Sequence, residues 1–158
     1  IHHWFSDANL DTGSITGGIG MLAKGPIAAA SQNQHLASPD SHTSEVVAAS
    51  SNLNFLVPCN GVLQEVHVRL GAKTPFYLDS MTTVFVSKSD TAIKKSVWLI
   101  RRAAVLEDGV VNGEIEPIHI SEKDMVADPF TKYLPYAVWI RHMHYVLNYV
   151  GDLPPRPK

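Results

Sequence analysis

The first 35 residues are divided into short apolar stretches by turn signals, and this pattern constrains the fold more than any other feature. Residues 1–5 are apolar and aromatic, residues 15–22 are rich in glycine and β-branched side chains, and residues 27–31 follow the turn signal Gly25-Pro26. Three short strands joined by tight turns are typical of an antiparallel sheet. We therefore expect the chain to begin with a strand meander.

A helical pattern begins after Pro39. Three hydroxyl side chains could cap its start: Ser41, Thr43 and Ser44. Pro58 interrupts the pattern, and a second amphipathic pattern over residues 62–70 predicts a separate helix that ends at Gly71.

Strand and helix patterns alternate in the rest of the chain. They predict strands over 75–78 and 114–120, with Pro117 suggesting an edge strand, and helices over 81–86, 97–105, 121–128 and 136–150. Antiparallel strands followed by alternating helices and strands indicate an α/β (α+β) fold, with helices packed on the faces of a mixed sheet.

The size and cysteine content fit one ordinary domain. The chain has 158 residues, and its single cysteine, Cys59, excludes an internal disulfide. No apolar run approaches the roughly 18 residues of a membrane helix, and no secretory signal is visible. We therefore expect an intracellular protein without a transmembrane segment, its compartment unassigned. Because the chain begins with Ile1 rather than Met, we also expect a piece of a longer or processed product.

The charge balance limits how the chain could bind nucleic acid. Its formal net charge is −2, whereas nucleic-acid binders are usually basic because they neutralise phosphates. Binding would need a local basic patch, a bridging metal ion, or a tether to a larger protein. The one basic cluster of note consists of Lys94, Lys95, Arg101 and Arg102, which is either a phosphate-contacting patch or a solvated helix face.

Four acidic residues lie at element ends or starts, although no local motif joins them. Asp7 ends the first predicted strand, Glu45 opens the first helix, Asp79 ends the fourth strand, and Asp128 lies in a late helix. Three or four carboxylates in one place cannot all stay ionised without a cation, and hard oxygen ligands select Mg²⁺ or Mn²⁺. Two such ions about 3.5–4 Å apart would support phosphodiester hydrolysis. Solvated surface acids are the alternative.

The residues around these acids resemble the ribonuclease H domain of copia-type retrotransposon polyproteins. The resemblance runs in order over about residues 5–135, and its most specific part is the final stretch. The matching stretches are Ser6-Asp7-Ala8, Ser14-Ile15-Thr16-Gly17-Gly18, Gln34, Ser44-Glu45-Val46-Val47-Ala48, Tyr77-Leu78-Asp79-Ser80 and Lys123-Asp124-Met125-Val126-Ala127-Asp128-Pro129-Phe130-Thr131-Lys132-Tyr133-Leu134-Pro135.

The resemblance implies a ribonuclease H-like fold and a site. Asp7, Glu45, Asp79 and Asp128 match the family's four metal-binding acids, with Asp7 bridging two Mg²⁺ ions. The implied activity is hydrolysis of the RNA strand of an RNA–DNA hybrid without a covalent intermediate. Specificity would come from hybrid shape and the 2′-hydroxyl group. A reverse transcriptase domain is an implied partner.

The chain departs from the family at three places. The family has lysine-histidine-isoleucine-aspartate where this chain has Lys95-Ser96-Val97-Trp98. It has serine-serine-threonine-glutamate-alanine where this chain has Asp40-Ser41-His42-Thr43-Ser44. It has asparagine-glutamine where this chain has Ser80-Met81. These changes leave the four acids intact and alter expected substrate contacts. Trp98 could form a new contact surface instead.

Two further interpretations stay open. A host could have recruited the domain as a non-catalytic structural or interaction subunit of a larger assembly, or the domain could bind hybrids without cleaving them. His119 is expected near the site, with a role in product release or proton transfer, or in ordinary strand packing. The expected organisation is a ribonuclease H-like domain over 1–135, a C-terminal helix over 136–151 that packs on it or extends it, and a Pro-rich tail over 152–158.

Overall fold

The computed structural model describes residues 2–10, 13–35, 38–88 and 97–149, which form a five-stranded mixed sheet flanked by helices. The strands are β1 (His2–Asn9), β2 (Ile15–Leu22), β3 (Gly25–Asn33), β4 (Thr74–Leu78) and β5 (Ile115–His119). The helices are α1 (Ser41–Glu65), α2 (Met81–Lys88), α3 (Val97–Val111) and α4 (Tyr136–Leu147), and two single 3-10 turns span Glu122–Asp124 and Asp128–Phe130.

The sheet combines an antiparallel half and a parallel half. Its order is β3-β2-β1-β4-β5, with β1 antiparallel to β2, β2 antiparallel to β3, and parallel pairs β1–β4 and β4–β5. This confirms the strand meander and the mixed sheet predicted from the sequence. Pro117 lies on the edge strand β5, as predicted, where a missing N–H leaves no central ladder bond unmade.

Helix α1 is continuous, so the prediction of a break at Pro58 and a separate helix over 62–70 is wrong. Its buried apolar residues recur at helical spacing on one face: Val46, Ala49, Leu53 and Leu56. Pro58 lies on the exposed face, where water can satisfy the carbonyl group that the ring leaves unbonded. Burial of the opposite face therefore outweighs the local helix-breaking tendency.

The start of α1 also differs from the expectation. The N-cap is Asp40, whose carboxylate accepts a hydrogen bond of 2.7 Å from the backbone N–H of Thr43. The predicted caps at positions 41, 43 and 44 lie inside the helix instead. An aspartate satisfies the free N–H groups of a helix start as well as a hydroxyl side chain does, and its charge suits the helix dipole.

Helix α1 is long and apolar enough to cross a membrane by length and composition, which differs from the expectation that no segment is. Half of its most apolar 18-residue window is buried inside the domain. Such burial is the ordinary situation of a core helix that packs on a sheet.

The two faces of the sheet carry separate hydrophobic clusters. On one face, Trp4 and Phe76 pack against α1 and against Leu99 and Leu106 of α3. On the other face, Phe5 and Ile19 pack against residues 125–127 and against Val146 of α4. Side chains alternate between faces along a strand, so β1 contributes Trp4 to one core and Phe5 to the other.

The segment around Asp128 is not the helix that the sequence predicted. It consists of the two 3-10 turns, because Pro129 lacks the N–H that would continue an α-helix. Helix α4 begins at Tyr136 as predicted and ends at Leu147, before the predicted end at 150, because Asn148 is a left-handed residue (φ 49°) that caps the helix. The Pro-rich tail over 152–158 lies outside the described residues.

Candidate active site

Asp7 and Asp79 are brought together by the pairing of two parallel strands. Ser6 on β1 pairs with Leu78 on β4, so the residues that follow them, Asp7 and Asp79, lie side by side. These two residues are separated by 72 positions in the chain, and only the sheet register joins them. The carboxyl ends of parallel strands are common ligand sites in open sheets.

Glu45 is the fifth residue of α1, and polar contacts fix the start of that helix. Gln34 donates from Nε2 to the hydroxyl oxygen of Thr16 (3.1 Å) and to the carbonyl oxygen of Ser44 (3.0 Å). It therefore ties the residue before Glu45 to strand β2. The Glu45 carboxylate lies close to those of Asp7 and Asp79, at the ends of β1 and β4.

A buried asparagine in the middle of α1 sets the position of the whole helix on the sheet. Asn52 donates to the hydroxyl oxygen of Ser6 (2.8 Å) and to the carbonyl oxygen of Gly17 (2.9 Å). A Cβ atom at Gly18 would overlap the Asn52 side chain, so the glycine leaves the space that this contact requires. The contact links α1 to both β1 and β2.

Asp7, Glu45 and Asp79 form a three-carboxylate cluster. Each offers one oxygen, and these three oxygens all lie within 4.8 Å of one another. Asp7 is 1% exposed, and the Oε2 atom of Glu45 is buried without a hydrogen-bond partner among the described residues. An all-oxygen donor set with a buried, unpartnered carboxylate oxygen fits a hard divalent cation such as Mg²⁺ or Mn²⁺.

The electrostatics of the cluster are those of like charges held in a confined space. Burial, together with the charges of Asp7 and Asp79, raises the pKa of the Glu45 carboxyl to about 10. Burial raises the pKa of Asp7 to about 7, with Asp128 and Asp79 adding to the shift and a hydrogen bond from Thr131 opposing it. Burial also raises the pKa of Asp79, and the charge of Asp128 adds to that shift. Without a cation, the cluster therefore favours partial protonation.

Asp128 lies beside this cluster but is not one of its three members. It is 3% exposed, and its Oδ1 atom is 3.0 Å from the Lys132 ammonium nitrogen. Burial raises the pKa of Asp128, and Lys132 opposes this shift. The structure thus brings three of the four predicted acids together and holds the fourth in an ion pair.

Lys132 stays charged although it is partly buried. Burial by itself lowers the pKa of the Lys132 ammonium group, but the carboxylates of Asp7 and Asp128 outweigh burial and place the pKa above its usual value. The neighbouring Thr131 hydroxyl donates a hydrogen bond to Oδ2 of Asp7. Residues 131 and 132 therefore contact two of the predicted acids from the same turn.

Close approach of this turn to the sheet requires a glycine. Gly17 on β2 is paired with Asp7 on β1, and a Cβ atom at position 17 would overlap the methyl group of Thr131. The Asn9 side chain adds a hydrogen bond of 3.2 Å to the Thr131 carbonyl oxygen. The turn can therefore lie directly against the end of β1, which places Asp128 and Thr131 at the cluster.

The predicted basic patch is described only in part. Lys94 and Lys95 lie outside the described residues. Arg101 is exposed on α3, and the Arg102 guanidinium lies over the Trp98 ring, 5.7 Å from its centroid. Trp98 and Arg102 line a groove of about 120 Å³ together with Thr16 and Gln34, the residues that hold the start of α1.

His119 lies at the end of β5, next to Asp79. One ring nitrogen, Nε2, is 3.0 Å from the carbonyl oxygen of Asp79, and the contact is exposed. This contact holds the end of β5 against the end of β4. It places an imidazole at the edge of the site. A role of His119 in product release or proton transfer, with strand packing as the alternative, stays a prediction.

Three positioning residues received no role from the sequence: Asn52, Thr131 and Lys132. A signal for Lys132 was present, because Asp128 and Lys132 stand four residues apart, the spacing of local ion pairs. Asn52 is a polar residue among the buried positions of a helix, and buried polar groups usually have a specific partner. The direct contact of Thr131 with Asp7 carried no such signal, since 124 residues separate the two.

Comparison with known proteins gives matches of structure and not of sequence. No protein family and no curated protein matches the sequence. The N-terminal RNase H domain of rv2228c from Mycobacterium tuberculosis, solved as a fusion with maltose-binding protein, has a TM-score of 0.61 at 12% identity, over 90% of this chain and 96% of that chain. LC11-RNase H1, isolated from compost by a metagenomic approach, has a TM-score of 0.60 at 15% identity, over 82% and 91%.

A second structure of LC11-RNase H1, in complex with an RNA/DNA hybrid, has a TM-score of 0.57 at 11% identity, over 79% of this chain and 88% of that chain. Identities this low show the fold alone. The mixed five-stranded sheet with flanking helices, predicted from the sequence, is therefore confirmed as a ribonuclease H-like fold.

Proposed function

We propose that the chain is a ribonuclease H domain of copia retroelement descent that hydrolyses the RNA strand of RNA–DNA hybrids with Mg²⁺ or Mn²⁺. The observation that carries this proposal is the convergence of Asp7, Glu45 and Asp79, whose oxygens lie within 4.8 Å of one another on a ribonuclease H-like fold. LC11-RNase H1, which shares the fold, has been solved with a hybrid bound, and this supports the choice of substrate.

The roles of the residues follow from their positions. Asp7, Glu45 and Asp79 would hold a divalent ion, and Asp128 would contribute where a second one binds. When bound, such ions neutralise charge on a phosphoryl oxygen and help to activate water for attack. Thr131 orients Asp7 by a hydrogen bond.

Contacts to the hybrid would come from the groove that Thr16 and Gln34 line near the start of α1. Arg102 and Trp98 line this groove, and exposed Arg101 lies on the same helix, α3. We propose that Arg101 and Arg102, together with Lys94 and Lys95, contact phosphates. With a net charge of −2, the chain has little long-range attraction for nucleic acid, so binding would depend on these local contacts.

A cleavage assay tests this function. The purified chain is incubated with a hybrid labelled on the RNA strand, with Mg²⁺ or with EDTA, beside the variant Asp79→Asn. We expect cleavage by the parent in Mg²⁺ alone and a loss of at least about 10²-fold in the variant. Glu116→Gln on the edge strand β5 is the matched control and should keep full activity, because Glu116 is exposed and outside the cluster. Cleavage that persists in Asp79→Asn would contradict the proposal.

The second candidate is a non-catalytic structural or interaction subunit of a larger host assembly. The observation that favours it is the ion pair between Asp128 and Lys132, which occupies a predicted metal ligand with a protein cation. In that case the parent would show neither cleavage nor a Mg²⁺-dependent rise of its melting temperature. Hybrid binding without cleavage would show as retention of the labelled hybrid, uncut, by the parent in Mg²⁺.

A further inference from the structure

Lys132 is held against the predicted metal ligands by several contacts. Its ammonium nitrogen is 3.0 Å from Oδ1 of Asp128 and 3.5 Å from Oε1 of Glu122. Its backbone N–H donates to the carbonyl oxygen of Asp128 (3.0 Å), which closes a turn and returns the side chain toward that residue. The side chain of Asp128 is 5% exposed, so Lys132 covers a carboxylate that has little contact with water.

The predicted ligands divide into two groups on this geometry. Asp7, Glu45 and Asp79 form the three-carboxylate cluster; the charge of Lys132 acts on them too, but its ion pairs among the described residues are to Asp128 and Glu122. Asp128 is outside the cluster and already faces an ammonium group. A divalent ion bound by the cluster would therefore meet three carboxylates, whereas one bound at Asp128 would have to displace Lys132 or share a carboxylate with it.

The positive charge of Lys132 also distinguishes Asp128 from the three acids of the cluster. Lys132 places one positive charge next to Asp128 and Glu122, so part of the negative charge at this end of the site is balanced without a metal ion. A second divalent ion close to Lys132 would add repulsion between cations in a poorly solvated place. The chain itself thus supplies part of the positive charge that this arrangement of acids requires.

We propose that the Lys132 ammonium group acts as a built-in counter-cation at Asp128, so that the chain without nucleic acid binds one divalent ion, on Asp7, Glu45 and Asp79. Lys132 is then a positioning residue, which holds Asp128 and opposes entry of a second ion. The inference rests on the proposed function, because it assumes that the cluster is a metal site, and it adds a residue that sets the number of ions bound.

Equilibrium titration with Mn²⁺ measures this directly. Free Mn²⁺ is quantified by electron paramagnetic resonance for the parent and for Lys132→Met, Lys132→Arg and Lys123→Met. We expect one ion per parent chain, and a second ion bound at least about tenfold more tightly in Lys132→Met than in the parent. Lys132→Arg keeps the charge and should keep one ion. Lys123→Met removes an exposed lysine outside the ion pair and should match the parent.

A second pair of variants tests the inference even if Lys132→Met fails to fold. Asp128→Asn should leave the one-ion stoichiometry and its Kd within about twofold of the parent, because Asp128 is not a ligand of that ion. Asp79→Asn should lose the ion. A large loss of Mn²⁺ affinity in Asp128→Asn would overturn the inference.

Failure of this inference is distinguishable from failure of the proposed function. A parent chain that binds two ions with similar affinity, or a folded Lys132→Met variant that still binds one ion, overturns the role of Lys132 and leaves the nuclease proposal intact. A parent chain that binds no Mn²⁺ at the cluster overturns both.

Discussion

Glu45 is a carboxyl group that the fold places where its ionised form is costly. One of its oxygens is buried without a hydrogen-bond partner among the described residues, and Asp7 and Asp79 lie close by. Burial and these two charges raise its pKa to about 10. The ionised side chain is therefore costly to the cation-free chain, and a bound cation, as the proposed function requires, would relieve that cost.

This arrangement predicts opposite effects of Glu45→Gln on stability and on activity. In EDTA at pH 8, the variant should melt at a higher temperature than the parent, by about 2–4 °C for each kcal/mol, because glutamine is neutral whereas Glu45 must take up a proton on folding. Hybrid cleavage should fall by at least about 10²-fold, because a ligand oxygen of the cluster is lost. Thermal unfolding in EDTA and the cleavage assay measure the two effects. An unchanged or lower melting temperature would contradict the raised pKa of Glu45.

Helix α1 is the element that carries Glu45 to the cluster, and its position depends on Asn52. The amide of Asn52 bonds to β1 and to β2, and this residue is fully buried. A shift of α1 along the sheet would move Glu45 relative to Asp7 and Asp79. The site is thus positioned by a hydrogen-bonded contact seven residues away along the helix.

Asn52→Leu should therefore lower both stability and metal binding. The variant leaves the Gly17 carbonyl oxygen without its side-chain donor and crowds the sheet at Gly18. A free energy of unfolding lower by about 1–3 kcal/mol is expected from urea titration. The rise in melting temperature caused by Mg²⁺ should shrink as well. Asn54→Leu, at an exposed position of the same helix, should change stability by no more than about 0.5 kcal/mol. Equal effects of the two substitutions would contradict the role of Asn52.

At the scale of elements, the sequence predicted the strands better than the helices. Turn residues and short apolar runs indicated β1, β2 and β4, and with them the strand ends that carry Asp7 and Asp79. The continuity of α1 through Pro58 could not be predicted, because it depends on burial against a sheet formed by distant residues. The pattern around Asp128 predicted a helix, but Pro129 prevents one. The segment forms a turn instead, and this turn brings the Lys132 side chain back to Asp128.

At the scale of the whole molecule, the three carboxylates meet only because the strands of the sheet pair in one register and α1 packs on that sheet. Asp7, Glu45 and Asp79 are 34 or more residues apart in the chain, and no local pattern contains two of them. The short stretches that resemble the ribonuclease H family predicted these acids as metal ligands. They could not predict the ion pair of Asp128, because that pair depends on the positions of side chains in the folded chain. Structures at 11–15% identity share the fold, which fits a core that tolerates exchange of apolar residues.

The raised pKa values predict how stability depends on pH. The ordinary pKa values are 3.8 for Asp7 and 4.5 for Glu45, and the folded values are about 7 and about 10. Between these limits the folded chain holds protons that the unfolded chain releases, so the free energy of unfolding falls as pH rises. In EDTA, the melting temperature should therefore decrease from pH 6 to pH 9.

Mg²⁺ should reverse this trend, since it binds the ionised carboxylates. The rise in melting temperature caused by Mg²⁺ should be larger at pH 9 than at pH 6. Scanning fluorimetry at pH 6, 7, 8 and 9, with EDTA or with Mg²⁺, checks both statements. Glu45→Gln is the control and should show a weaker fall with pH. A Mg²⁺ effect that is equal at every pH would contradict the linkage to these carboxyl groups.

The central claim is that folding brings Asp7, Glu45 and Asp79 into one site that holds a divalent cation. Crystals of the chain soaked in Mn²⁺ and measured for anomalous scattering test it most directly. We predict an anomalous peak bounded by oxygens of these three residues, at about 2.0–2.4 Å from each. A difference map without such a peak at saturating Mn²⁺, or with a peak whose ligands exclude Glu45 and Asp79, would contradict the account.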